Sequence, residues 1–206
     1  MSDAKLFLGV LISGSGTNLQ AIIDAIEAEK LNATIAVVIS SHLEARGLDR
    51  ARKHGIDAVF LDRTAYKTPR DYNAAILQEL QSRGVELVVM AGYMRLLGKN
   101  VLDHFPNRVV NIHPSLLPSF AGANGIRDAF DYGVKVTGVT VHYASEDFDE
   151  GPIIAQEAVV IAEDDTVETL EAKIHEVEHR LYPHVLQLIA DERVRVEGRR
   201  VVILGA

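Results

Sequence analysis

Short apolar runs alternate along the chain with stretches whose apolar residues recur every three or four positions. Leu6 to Ile12 is almost wholly apolar and leads at once into "SGSGTN", the pattern of a strand ending in a tight turn. Leu19, Ile22, Ile23 and Ile26 then fall at helical spacing, which predicts an amphipathic helix opening near Thr17 and Asn18. The unit recurs: Thr34–Ile39 reads as a strand, Glu44–His54 as a helix, Ala58–Leu61 as a strand, Asp71–Arg83 as a helix and "VELVVM" as a strand. Arg108–Ile112, Val136–His142 and Ile153–Ile161 supply further strands, and Gly125–Tyr132 a short helix. From Thr166 to Ile189 the spacing predicts a long helix with a kink or break at Pro183, where a backbone donor is missing. "VRVEGRRVVIL" reads as a closing polar hairpin. Continuous Val/Ile/Leu runs between helices indicate strands covered on both faces, hence parallel pairing. The expected architecture is α/β, a doubly wound, mostly parallel sheet in a single domain over residues 1–206, without repeats or linkers.

Composition narrows the classes. A chain of 206 residues that is 48% hydrophobic can bury one good core. Its formal charge of -8 argues against a general nucleic-acid binder, which needs a basic face for phosphates, though a local basic pocket stays open. There is no cysteine, so no disulfide framework and no thiolate zinc site, which suits a reducing cytosol. Asp3, Lys5, Asp24, Glu27, Glu29 and Lys30 interrupt the first thirty residues, and neither a signal peptide nor a membrane span fits them. The expectation is a soluble, cytoplasmic protein that acts on small molecules, with neither nucleic acid nor membrane as partner. Monomer and homodimer are both left open.

Two stretches carry candidate chemistry. Gly14 and Gly16 lie between a strand and a helix, where backbone amides and the helix dipole favour an anion, so the loop predicts phosphate binding. A dinucleotide fingerprint would want glycine where Leu19 stands and an acid after the second strand, where "SSHLEA" has none suitably placed. No Lys-Ser or Lys-Thr pair follows the glycines, which excludes a P-loop; a plain structural turn is the alternative. The second stretch ends a strand in Asn111 and His113, two residues apart and so on one face, at the strand's carboxyl end where open sheets bind ligands. An amide donor and an imidazole there could polarise a carbonyl and move its proton. Pro114 and Pro118 restrict the segment that follows. In the acidic loop of Glu146, Asp147, Asp149 and Glu150, Asp149 is best placed, beside Gly151-Pro152, to hold His113 charged.

"LISGSGTNLQ", "MAGYMRLL", "NIHPSLLPSF", "VTGVTVHY" and "DEGPIIAQ", in this order, closely resemble the phosphoribosylglycinamide formyltransferases, the glycinamide ribonucleotide transformylases of purine synthesis. The resemblance implies a Rossmann-like formyltransferase fold and formyl transfer from 10-formyltetrahydrofolate to the glycyl amine of the ribonucleotide. It implies Asn111, His113 and Asp149 as the catalytic trio. Gly16, Thr17 and Asn18 match the loop that holds the substrate phosphate, and Glu178 matches a residue contacting the same ribonucleotide. Met94, Arg95, Leu96 and Leu97 match the segment lining the folate pocket, with Asn111 beside it. The folate is a co-substrate, and no metal is required.

Some readings compete. Met90, Tyr93 and Met94 could be ordinary core, but Arg95 among them favours a pocket wall, since arginine is rarely buried unpaired. "HEVEH", His175 to His179, literally fits a zinc-protease signature; the stripe of Val167, Leu170, Ile174, Val177 and Leu181 places both histidines toward solvent and Glu178 at its border. His175 could approach the ribonucleotide phosphate. Some relatives carry proline where Ala121 stands and histidine where Asn124 stands; the lost charge would weaken the coupling of His113 to Asp149, and Gly125 would loosen the loop. A hydrolase of 10-formyltetrahydrofolate usually carries a regulatory domain before the first strand, and an initiator-tRNA formyltransferase a further C-terminal domain. Neither is expected here, and a non-catalytic nucleotide- or folate-binding paralogue is the remaining alternative.

Overall fold

The computed structural model describes residues 4–205. Along the chain run β1 (Leu6–Ile12), α1 (Thr17–Glu27), β2 (Ala33–Ser40), α2 (Arg46–Lys53), β3 (Ala58–Phe60), a 3₁₀ turn, α3 (Pro69–Ser82), β4 (Leu87–Met90) and α4 (Lys99–His104). β5 (Val109–His113), α5 (Gly125–Tyr132), β6 (Val136–Tyr143), β7 (Ile153–Val160), α6 (Val167–Ala190) and a hairpin of β8 (Val194–Glu197) and β9 (Arg200–Ile203) follow. Seven strands form one sheet in the order β3-β2-β1-β4-β5-β6-β7.

The period of two along each strand divides the core between the faces of the sheet. Leu8, Val10, Ile12, Val38, Leu87 and Val89 pack on one side with Leu170, Ile174, Tyr182 and Leu186 of α6. Leu11, Val37, Ile39, Val88 and Met90 pack on the other with Tyr72, Ile76 and Leu80 of α3. β1 to β5 are parallel. β6 and β7 run antiparallel to their neighbours, a direction the apolar runs alone do not specify. β7 alternates between covered and solvated positions, as an edge strand with one wet face should. Strand order reverses between β1 and β4, and the crevice outside their carboxyl ends is where an open sheet of this kind binds ligands.

Two helices differ from their sequence signals. α4 was not predicted: among its six residues only Val101 is buried, too little to set up a period. α6 runs unbroken through Pro183, contrary to a break there. Pro183 is itself buried, and the fully buried Tyr182, Val185 and Leu186 flank it, so packing on either side outweighs one missing backbone bond. The Tyr182 hydroxyl donates to the carbonyl oxygens of Val110 (2.9 Å) and Met90 (3.1 Å), tying α6 to β5 and β4. No helix among the described residues is long and apolar enough to cross a membrane.

Candidate active site

A cavity of about 840 Å³ opens at the strand ends, lined by the loop after β1, the segment after β4, the end of β5, the β6–β7 loop and α6. The glycine loop forms one end. Gly16 precedes α1 in the left-handed region (φ 70°), which a side chain would strain. Asn18 donates from Nδ2 to the Glu178 carboxylate (3.0 Å), leaving its own Oδ1 buried without a partner. Glu178 is only 5% exposed. Burial raises its carboxyl above the usual range, and the Asn18 bond opposes that rise without cancelling it.

The transfer centre lies at the end of β5. Its register sets Asn111 opposite His142 and His113 opposite Thr140. Asp149 comes from the β6–β7 loop in a left-handed conformation (φ 56°), where Gly151 packs so closely on the Tyr143 carbonyl that no Cβ would fit. Its side chain is 7% exposed. Asp149 Oδ2 meets His113 Nδ1 (3.3 Å) and accepts from the Gly122 N–H (3.0 Å), while Oδ1 accepts from Asn111 Nδ2 (3.3 Å) and lies 3.5 Å from His142 Nε2. Burial alone would raise this carboxyl, but the hydrogen bonds from His142 and Gly122 and the charge of the two imidazoles outweigh it, so the net shift is downward. The three residues expected to meet do meet.

His142 Nδ1 faces the Tyr143 carbonyl (2.8 Å), which can only accept, and its Nε2 lies 3.2 Å from Asn111 Nδ2 and 3.5 Å from Asp149 Oδ1. Asn111 Nδ2 therefore has two neighbours on the Asp149 side, His142 Nε2 (3.2 Å) and Asp149 Oδ1 (3.3 Å). His113 Nε2 lies 2.8 Å from the Phe120 carbonyl oxygen. Both ring nitrogens of His113 therefore face oxygen acceptors, Asp149 Oδ2 and the Phe120 carbonyl.

Several expectations change here. The segment after His113 is anchored less by its prolines than by side chains of β6 and β7: Thr140 Oγ1 donates to the Ser115 carbonyl (2.7 Å), and Gln156 Nε2 to the Leu117 carbonyl (2.9 Å). Gly125 is buried at the start of α5, and a Cβ there would lie 3.1 Å from His113 Nε2, so the glycine also makes room for that ring. Asn124 is exposed and its side chain caps nothing, so the contact with Asp149 comes instead from the Gly122 backbone. His142 was missed; its signal is a polar residue alternating with Thr140 on an otherwise apolar strand.

The other end of the cavity is apolar. Met94 (62% exposed) and Leu96 (41%) offer open surface beside Phe148, Leu97 is buried, and Arg95 is the one Lys or Arg among the lining residues. Ser13 Oγ, which contacts Ser41 Oγ, accepts from the Met94 N–H (3.1 Å) and so fixes this segment to the glycine loop. Met90 and Tyr93 serve as both core and wall. His175 and His179 are half-buried, with rings stacked 6.1 Å apart, His175 lining the cavity and His179 a second groove along α1. Burial and the nearby His175 and Arg50 push the His179 ring below the usual histidine range. Among the described residues no three His, Cys, Asp or Glu side chains gather as metal ligands.

A family model described as formyl transferase matches residues 8–186. The phosphoribosylglycinamide formyltransferase of Bacillus subtilis (strain 168) is 41% identical over 178 residues, 86% of this chain and 91% of that protein. That of Haemophilus influenzae is 42% identical over 199 residues, 96% and 93% of the respective chains. The solved structure of glycinamide ribonucleotide transformylase 1 from Symbiobacterium toebii matches with a TM-score of 0.95 at 51% identity, covering 97% of this chain and 94% of that one.

Proposed function

The chain belongs to the formyl transferase family, and from that premise we propose that it moves a formyl group from 10-formyltetrahydrofolate to the glycyl amine of glycinamide ribonucleotide in purine biosynthesis. The observation that carries the reading is the convergence of Asn111, His113 and Asp149 on a cavity with an amide-lined loop at one end and an apolar shelf at the other. The loop of Gly16, Thr17 and Asn18 suits a phosphate. Glu178, an acid, suits the hydroxyl or amine portion of the same ligand, not its phosphate. Met94, Leu96 and Leu97 suit the flat ring of a folate, and Arg95 its carboxylates.

Attack by the amine forms a C–N bond and places negative charge on the formyl oxygen. An Nδ2–H of Asn111 and the Nε2–H of His113 are the donors for that oxyanion, and one well-placed donor is worth ~3 to 4 kcal/mol. His113 serves once the Phe120 carbonyl releases it. Asp149 keeps the ring charged and accepts the amine proton, through water, for delivery to the folate nitrogen as its bond to the formyl carbon breaks. The test is release of tetrahydrofolate by the purified chain with and without the ribonucleotide. Transfer that requires the ribonucleotide supports the reading; release into water without it would identify a hydrolase, and no release would leave a binding module.

A further inference from the structure

The glycine loop carries no cation of its own: "SGSGTN", Ser13 to Asn18, is neutral. What the loop itself offers an anion is chiefly backbone N–H groups, and such a site works only if the peptide planes face the right way. The device that turns them lies behind the loop, in α2. The Gly47 N–H donates to the Gly14 carbonyl (3.2 Å), and Arg50 Nε donates to the Ser15 carbonyl (2.9 Å). Arg50 Nη1 also donates to Gln20 Oε1 (3.1 Å), which fixes the guanidinium against the first turn of α1. In a trans peptide the N–H points opposite to the C=O. Two consecutive carbonyls held toward α2 therefore turn the N–H groups of Ser15 and Gly16 away from it, toward the cavity both residues line. Among the described residues, neither N–H meets a backbone acceptor.

The approach of α2 is as close as backbones allow. A Cβ on Gly16 would lie 2.6 Å from Gly47 Cα, and one on Gly47 would lie 2.4 Å from Ile12 Cδ1. Gly47 thus lets the helix start touch the loop, and Arg50, one turn on and half-buried, reaches the next carbonyl.

We propose that Arg50 is a positioning residue for phosphate: it orients the Ser15–Gly16 peptide so that the loop amides converge on the phosphate of the ribonucleotide, without touching the ligand itself. The proposal rests on the reading of the loop as a phosphate site. It separates orientation from attraction by charge, because Arg50→Gln keeps an N–H donor for the Ser15 carbonyl but removes the charge, whereas Arg50→Met removes both.

The experiment measures, in the full chain, inhibition by inorganic phosphate competitive with the ribonucleotide, KM for each substrate, kcat, and the ¹H–¹⁵N shifts of Ser15 and Gly16 during phosphate titration. In the unaltered protein both amides should shift downfield with phosphate. Arg50→Met should weaken phosphate inhibition and raise KM for the ribonucleotide about tenfold, the worth of one lost hydrogen bond. It should leave kcat and the folate KM within about twofold, and Arg50→Gln should recover most of the loss. Equal phosphate affinity in Arg50→Met and the unaltered protein would overturn the proposal while leaving the phosphate site intact. A loss as large in Arg50→Gln as in Arg50→Met, fading in high salt, would overturn it in favour of attraction by charge. Failure of phosphate to compete in the unaltered protein would overturn the phosphate site itself, with no variant involved. Should Arg50→Met not fold, Arg50→Lys, which keeps the charge but not the planar donor, gives the opposite comparison: positioning predicts loss and charge predicts none.

Discussion

Replacing Asp149 by asparagine changes one oxygen for an NH₂ group and removes one charge. The backbone should tolerate it, since asparagine adopts the left-handed region (φ 56° here) more readily than most residues. The side chain should not. Oδ2 faces the Gly122 N–H and His113 Nδ1, and Oδ1 faces Asn111 Nδ2 and His142, so whichever way the amide turns its NH₂ meets a donor. One such opposed contact costs about 1 to 3 kcal/mol. Loss of the carboxylate beside a buried imidazolium is dearer, about 3 to 5 kcal/mol for the removal of one partner. His113 can escape most of that by giving up its proton, and the cost then appears in catalysis. We expect kcat to fall about 10³-fold, equivalent to ~4 kcal/mol, with each KM changed less than about threefold. The pH dependence carries a sign. The Asp149 carboxyl sits below its ordinary value of 3.8, so its stabilisation of the fold is complete above that pH and is lost as pH falls through the lower folded value. The stability difference between the two proteins should therefore shrink on acidification below pH 3.8. Steady-state kinetics and urea unfolding across pH provide the measurements. A kcat within tenfold of the unaltered enzyme in a folded variant would refute the electrostatic account of this centre.

Other changes test separate links. Tyr182→Phe leaves the Met90 and Val110 carbonyls without the hydroxyl they share and should cost about 1 to 3 kcal/mol in denaturant unfolding. Glu178→Gln should stabilise the chain at neutral pH by ~1 to 2 kcal/mol while raising KM for the ribonucleotide. The raised carboxyl favours the fold below its ordinary value of 4.5, an advantage lost as pH rises through the higher folded value, so the gain from glutamine should grow from pH 4.5 toward neutrality. Asn124→His should change kcat less than about threefold, because the exposed Asn124 caps nothing and Gly122 already holds the carboxylate; a rise of tenfold or more in a kinetic assay would contradict that.

The parallel strands were legible because covering both faces of β1, β2 and β4 forces near-continuous apolar runs, which no other element of comparable length produces. Strand direction was not, since an apolar run reads alike either way, and β6 and β7 turned out antiparallel. α4 left no trace because one buried residue makes no period. At the site, Asn111 and His113 could be placed on one face by counting, and Asp149 by the glycine-proline turn beside it. The Phe120 carbonyl on His113, the Gly122 N–H on Asp149 and the clamp of α2 on the glycine loop each pair a side chain with a backbone atom far along the chain, and the spacing of residue types gives no signal for such a partner.

The hydroxyl that Tyr182 lends to two strand ends has a consequence for anyone designing ligands. The helix bearing Glu178 cannot slide along the sheet without giving up that pair of bonds, and the paired strands β1 and β4, with the Met94 N–H on Ser13 Oγ, hold the glycine loop to the apolar shelf, so the span from the phosphate cradle to the shelf is a constant of the fold. A single molecule joining a phosphoester to a flat heterocycle by a stiff tether of that span would capture both halves with the entropy of only one association.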